Sequence, residues 1–426
     1  MAFAGMFGIL SPDAAPMSPL RYPLPSTLTL LAALYVAQGL PSGLMAHALP
    51  VLLRQHGVDL ALIGLLKLLA LPWLLKVLWA PWVDRLGGSP LGHRRGWILP
   101  LQAGVALLLI ALAWLPQAQL FGPGLPLLLG LLLLINLAAA TQDVATDGLT
   151  VRLLPERWRG LGNSLQVGGY KAGMLAGGSG LLLVADDLGW RWTLLGLGLL
   201  VLLLLIPLLR FPERRVLPFH AALAEPAGVT LPWRHYRGLL ALPGMGLWLL
   251  VLLSFKLGDA LGSPMIKPML VDQGWSASAL GQLALVSSLV GIGGALVGGW
   301  LYARLGVLRA LLLGGVLQAV GITGMALLVG RAEVAPVYAV ALFEQFADGL
   351  STVVLFAAMM RQCRPEHEGA DFTLQASVQL LLGGIVGAFS GVLAKLLGYP
   401  GLFLLAGGLG VAALGVVLAA RATLRR

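Results

Sequence analysis

The sequence predicts an all-α membrane protein with twelve transmembrane helices in two parallel six-helix repeats. Three observations carry this. Of its 426 residues, 58% are hydrophobic and only 11% are charged, a balance foreign to soluble domains. About twelve apolar runs approach the roughly 20 residues that a membrane span requires. Two acidic pairs inside those runs also read alike: Asp143-Val-Ala-Thr-Asp147-Gly148-Leu149-Thr150 and Glu344-Gln-Phe-Ala-Asp348-Gly349-Leu350-Ser351. Each pair puts two carboxylates on one helix face. Carboxylates at membrane depth are costly and persist mainly where they face a cavity, a partner or a proton path.

In chain order, residues 1–25 lack a basic n-region and are interrupted by Ser11-Pro12-Asp13, so they read as an N-terminal cytoplasmic tail and not a signal peptide. Residues 26–210 hold the first six runs, near 27–53, 60–82, 97–116, 124–150, 160–184 and 192–210. The longest polar stretch, 211–243, reads as a cytoplasmic linker, and its Trp233-Arg234-His235-Tyr236-Arg237 cluster suits an amphipathic segment at the membrane interface. Residues 244–426 hold the second six runs, near 244–271, 277–303, 308–329, 335–360, 371–396 and 400–420. The runs at 27–53 and 244–271 are long and contain Pro, which predicts a tilt or a break.

The net charge of +10 does not indicate nucleic acid. With the N-terminus inside, the cytoplasmic segments hold most of the 28 Lys and Arg, among them Arg85, Arg94, Arg95, Arg152, Arg157, Arg159, Arg214 and Arg215. The outer segments hold Arg54, Arg191, Arg331 and Lys395. This is the positive-inside pattern; it places both termini in the cytoplasm and the basic excess against anionic lipid. The single cysteine, Cys363, excludes an internal disulfide and a cysteine metal site.

The halves repeat in order. Pro50-Val-Leu-Leu-Arg54-Gln55 aligns with Pro268-Met-Leu-Val-Asp272-Gln273, and Trp82-Val-Asp84-Arg85-Leu86-Gly87 with Leu301-Tyr-Ala-Arg304-Leu305-Gly306. The acidic pairs follow, and Asn163-Ser-Leu-Gln166 aligns loosely with Phe372-Thr-Leu-Gln375. A parallel six-plus-six repeat is a plan for alternating access.

Several stretches carry a family resemblance. Lys76-Val-Leu-Trp79-Ala80-Pro81-Trp82-Val-Asp84-Arg85 with Gly92-His-Arg94-Arg95-Gly96-Trp97 resembles the loop between helices 2 and 3 of the AmpG-like permeases of the major facilitator superfamily. Ala140-Thr141-Gln142-Asp143, Gly169-Tyr170-Lys171-Ala-Gly173-Met174, Phe255-Lys256-Leu257-Gly258-Asp259-Ala260 and Leu308-Arg309-Ala310-Leu311-Leu312 are similar to other stretches of that family. The resemblance spans about 30 to 410. It implies muropeptide import, nucleotide-thioester (acetyl-CoA) transport, or iron-siderophore uptake of the RhtX and FptX type. The chain ends at Arg426 without the further C-terminal helices of the muropeptide branch, and it carries Lys67 and Lys267, so it resembles the siderophore branch best.

The buried polar residues divide by expected role. Asp84, Arg85, Arg94 and Arg95 match the facilitator loop whose charges clamp the halves in one state, and are expected to gate. Asp143, Asp147, Asp259, Glu344 and Asp348 are candidates for proton coupling, because a carboxylate in a low-dielectric cavity needs a proton or a cation. Lys171 is the expected partner of the helix 4 acids and a holder of anionic solute, with Gln166 and Tyr170 beside it. Gln38, Lys67, Lys267, Gln375 and Gln379 complete the expected substrate contacts, and His47 is a further wall residue. Lys256 and Asp259, three apart, are expected to pair; Lys76 is expected to snorkel or to bind near Asp84. The stripe Ser287, Gly291, Ala295, Gly299 reads as close helix packing rather than a phosphate loop.

The sequence therefore predicts a monomeric inner-membrane secondary transporter. It would import a small anionic organic solute, with an iron-siderophore such as ferripyochelin first and a muropeptide second, driven by protons because no P-loop is present. Metal would arrive inside its chelator, so neither a cofactor nor a protein metal site is expected. A membrane transferase fits poorly, since most of the His lie in loops and no catalytic cluster is visible. A sensor that binds without transporting is the remaining rival.

Overall fold

The computed structural model describes residues 22–58, 65–86, 90–217, 232–331 and 333–425. These are mostly helical, with no strand among them. The first half is built from α1 (Leu24–Gln55), α2 (65–85), α3 (His93–Trp114), α4 (Leu125–Leu153), α5 (156–188) and α6 (190–210). The second is built from α7 (Met245–Asp272), α8 (277–305), α9 (307–328), α10 (Val334–Arg361), α11 (368–397) and α12 (399–419). Tail residues 1–21 and linker residues 218–231 lie outside the described residues.

Two continuous helical stretches, Ala277–Gly324 and Glu368–Ala419, run for 48 and 52 residues. At about 1.5 Å per residue each is far too long for one crossing of a core about 30 Å thick. Each reverses at a single glycine: Gly306 (φ 74°, ψ 170°) and Gly398 (φ 68°, ψ 166°). Gly189 (φ 71°, ψ 169°) turns α5 into α6 in the same way, at the place in the first half that Gly398 holds in the second. A side chain strongly disfavours this conformation, so three glycines set three helix reversals.

The two runs expected to bend are both interrupted. In α1 a π turn, Leu44–Ala48, follows Pro41. In α7 the helix breaks at Lys256 (φ −105°, ψ 8°) and tightens into a 3-10 turn at Ser263–Met265 around Pro264. Proline removes a helical donor and crowds the preceding turn, which accounts for the breaks at Pro41 and Pro264.

Small residues bring backbones together within and between halves. A Cβ on Gly39 would lie 2.2 Å from Tyr170 O, and one on Gly173 2.3 Å from Val36 O, which fixes α1 on α5. A Cβ on Gly294 would lie 2.1 Å from Phe346 O, which fixes α8 on α10. The predicted stripe does pack, partly within its half and partly across halves: a Cβ on Gly349 of α10 would lie 2.1 Å from Gly291 O, while Ser164 Oγ of α5 donates to Ala295 O at 2.7 Å and a Cβ on Gly299 would lie 2.5 Å from Gly160 O.

Candidate functional site

The halves are fastened at the end of the bundle that carries the linker, here called the linker face. Arg94, in the first turn of α3, is fully buried and pairs with Asp84 at the end of α2. Asp84 also accepts from the Ala370 N–H at 2.7 Å, at the start of α11, and Arg94 Nη2 reaches Glu368 at 3.4 Å. A Cβ on Gly369 would lie 2.6 Å from Asp84 Oδ1, so glycine admits the carboxylate to the helix start. Two more ion pairs cross the interface: Arg152 grips Glu366 with both nitrogens at 2.7 Å, and Arg361 meets Glu156 at 2.9 Å. Arg95 differs from expectation. Its guanidinium donates to Phe211 O and Leu209 O, and Glu213 accepts from the Arg94 and Arg95 N–H groups, so it ties α3 to the linker of its own half. Arg85, half-buried, stands beside Asp84.

The linker helix Pro232–Leu240 docks beneath both halves. Tyr236 OH donates to Val77 O at 2.6 Å, and His235 lies 3.8 Å from Asp371, which Arg364 holds at 2.7 Å. Burial, and then the charges of His235 and Arg364, hold the neighbouring His367 below its ordinary pKa. Burial pushes the Cys363 thiol well above its ordinary value, which leaves it a poor nucleophile.

The acids of α4 are enclosed in packed protein. Asp143 pairs with Lys76 of α2, both buried. Asp147 accepts from Tyr35 OH at 3.0 Å and from Gln166 Nε2 at 2.8 Å. Gln38 donates to Thr146 at 3.2 Å, and Tyr35 OH shares a hydrogen bond with Thr150 at 2.8 Å. Tyr170 stacks edge-on against Trp73 at 6.0 Å.

The acids of α10 are placed differently. A cavity of about 750 Å³ lies within the C-terminal half, between α7, α8, α10 and α11 with Met325 of α9. Its polar lining includes Lys256, Asp259, Ser263, Lys267, Ser287, Ser288, Glu344, Gln345, Asp348 and Gln379. Lys256 donates to Asp348 Oδ1 at 2.8 Å and to Ser351 Oγ at 2.9 Å. Glu344 accepts from Gln345 at 2.9 Å, while its Oε1 and Asp259 Oδ1 are buried without a partner among the described residues. The cavity runs from Phe356, five residues short of the linker-face end of α10, past Asp348 at mid-helix, to Lys267 and Leu280 near the face opposite the linker.

Several expected placements are corrected. The two acidic faces do not share one cavity: Glu344 and Asp348 line it, whereas Asp143 and Asp147 do not. Lys256 pairs with Asp348 and not Asp259, because the break at Lys256 spoils the three-residue helical spacing. Lys76 pairs with Asp143, since Asp84 is already filled by Arg94 and the Ala370 N–H. Lys171 does not pair with the α4 acids; a Cβ on Gly291 of α8 would lie 3.1 Å from its Nζ. Gln375 is no wall residue: fully buried, it accepts from Trp248 Nε1 at 2.7 Å and donates to Asp371 O at 3.1 Å. Gln379 does line the cavity while donating to Leu252 O. His47 is exposed, and the Lys67 side chain lies outside the described residues.

Sequence reasoning missed Ser351 and Gln318, which bond at 2.7 Å beside Lys256. A lone Gln inside the α9 apolar run was the available signal.

Two six-helix halves, closed together at one end and with a charged mid-span cavity, define a multi-pass secondary transporter. The profile of the Major Facilitator Superfamily matches residues 31–388 and 249–426. The anhydromuropeptide permease of Escherichia coli (strain K12) is 30% identical over 407 residues, covering 93% of this chain and 80% of that protein. Putative transporter AmpG 4 of Rickettsia conorii is 24% identical, covering 87% and 90%. Among solved structures, a bacterial homologue of the iron transporter ferroportin in an outward-facing state superposes with a TM-score of 0.67 at 16% identity, covering 93% and 99%. The Escherichia coli fucose:proton symporter superposes with 0.64 at 15% identity, covering 92% and 98%. At such identities these structures establish the fold alone. The chain belongs to the Major Facilitator Superfamily, among its AmpG-like permeases.

Proposed function

We propose that this protein imports an anionic organic solute of the muropeptide kind across the bacterial inner membrane, by proton-coupled alternating access through the C-terminal cavity. The observation that carries the reading is the pairing of that cavity with a fastened linker face. The positive-inside pattern supports a cytoplasmic linker face and cytoplasmic termini, which makes this conformation outward-facing. Lys267, exposed in the cavity, and Lys256 supply cations for carboxylates on the solute. The name of the 30% identical relative puts a muropeptide ahead of the iron-siderophore first suggested by length and lysines.

Charge supports a proton. Asp259, Glu344 and Asp348 face one cavity, yet Lys256 alone among the described lysines forms an ion pair there, with Asp348. Unpaired buried charge is expensive, so a proton on the Asp259–Glu344 side is the natural counter-charge. That proton can leave when an anionic solute or a conformational change alters the balance. Purified protein in liposomes tests this. A pH gradient, inside alkaline, should drive accumulation of labelled anhydromuropeptide. Accumulation of a ferric siderophore instead would move the chain to that branch, and binding without counterflow would make it a sensor.

A further inference from the structure

Lys171 projects from α5, in the first half, toward the second. Its Nζ sits over Gly291 of α8. Gly291 packs directly on Gly349, where a Cβ would lie 2.1 Å from Gly291 O, and Gly349 follows Asp348. The lysine head is thus a glycine contact away from α10, near enough for its charge to act on the Asp348 carboxylate. It is half-buried and makes no hydrogen bond or ion pair among the described residues. Asp348 is held instead by Lys256 at 2.8 Å. Two lysines from opposite halves stand around one carboxylate, and only one of them has it.

The α5–α8 contact supplies a pivot. Toward the linker face the helices touch closely, backbone to backbone at Gly160 with Gly299 and through the Ser164 hydroxyl on Ala295 O. Lys171 lies two turns farther along α5, about 10 Å by helical rise. Rocking that closes the face opposite the linker swings this end of α5 toward α8 and α10.

We propose that Lys171 is a switching cation: when that face closes, it takes Asp348 from Lys256, and the exchanged ion pair stabilises the closed form. A flexible stem and three donors suit a lysine to such an exchange. The displaced Lys256 remains in the cavity that Asp259 and Glu344 also line, so acids stay on the same wall. Lys171 is then a positioning residue for the transport cycle and is independent of which solute is carried.

The test reads conformation without solute, so it stands apart from the identity of the cargo. Ser263→Cys, in the cavity lining, is introduced in a Cys363→Ser background. A membrane-impermeant maleimide is applied to right-side-out and inverted vesicles, and labelling is normalised to the total obtained after solubilisation. Lys171→Gln should raise labelling from the face opposite the linker by about fivefold, within the usual range of a coupling free energy. Lys256→Gln should lower it, because Lys171 then takes Asp348 without competition. Lys171→Arg should match the parent. Shifts of the same sign in both Gln variants, or no shift in either, would overturn the switch.

Discussion

Helices α4 and α10 carry the same acidic spacing at equivalent places, yet the molecule treats them as opposites. On α4 the first acid, Asp143, holds the cation, Lys76 from α2; the second, Asp147, is covered by Tyr35 and Gln166. On α10 the second acid, Asp348, holds the cation, Lys256 from α7; the first, Glu344, keeps an oxygen without a partner among the described residues and faces the cavity. Among the described residues Asp147 Oδ2, like Glu344 Oε1, is buried without a partner, but the α4 acids lie in packed protein and line no part of the cavity. The α10 arrangement leaves negative charge next to space. A sequence repeat therefore preserves the acids while the neighbouring helix decides whether they fasten or work.

The largest expected effect lies in the packed half. Lys76→Met strands a buried Asp143 carboxylate, at a cost of about 3–5 kcal/mol. Folded yield in detergent should collapse, and adding Asp143→Leu should recover most of it. If Lys76→Met folds well and the double variant gains nothing, the α4 pair is not structural.

The α10 acids should behave in the reverse way. Glu344→Gln keeps the volume and should change folding by about 1 kcal/mol or less. Gradient-driven uptake should fall about tenfold, the equivalent of 1.4 kcal/mol, while solute counterflow continues. Loss of both in equal measure would assign Glu344 to solute binding or to folding rather than to the proton.

Legibility followed the physics of each feature. Span count and the acidic repeat could be read because hydropathy and helical spacing are local. The breaks in α1 and α7 were foreseeable from proline. Partners were not: Lys256 was assigned to Asp259 by helical spacing, but a break at Lys256 itself sends the side chain to α10. Gln375 and Gln379 share a helix face in the sequence, yet Trp248 claims the first and the cavity receives the second. Such choices depend on which neighbour arrives from far along the chain. The three turn glycines were hidden among 57.

The linker face offers an intermediate effect. Asp84→Asn weakens the Arg94 pair at the α2–α11 contact but leaves the cavity intact. Uptake should slow several-fold, as expected when a coupling of about 1 kcal/mol between states is lost, with solute affinity nearly unchanged. A large change in affinity with a normal rate would contradict the gating role. Smaller still is Gln379→Leu, which should raise KM about two- to threefold through loss of one polar contact. Gln375→Leu should instead cost roughly 1 kcal/mol of stability by orphaning the Trp248 N–H, and leave KM alone.

The central claim is that solute binds in the C-terminal cavity and not among the α4 acids. Ser288→Cys in the cavity and Gln38→Cys beside Thr146, each in a Cys363→Ser background, test it most directly through protection from an impermeant maleimide. The account predicts that Ser288→Cys labels readily and is protected by anhydromuropeptide, while Gln38→Cys labels poorly with or without it. Solute-dependent protection at Gln38→Cys, with none at Ser288→Cys, would contradict it.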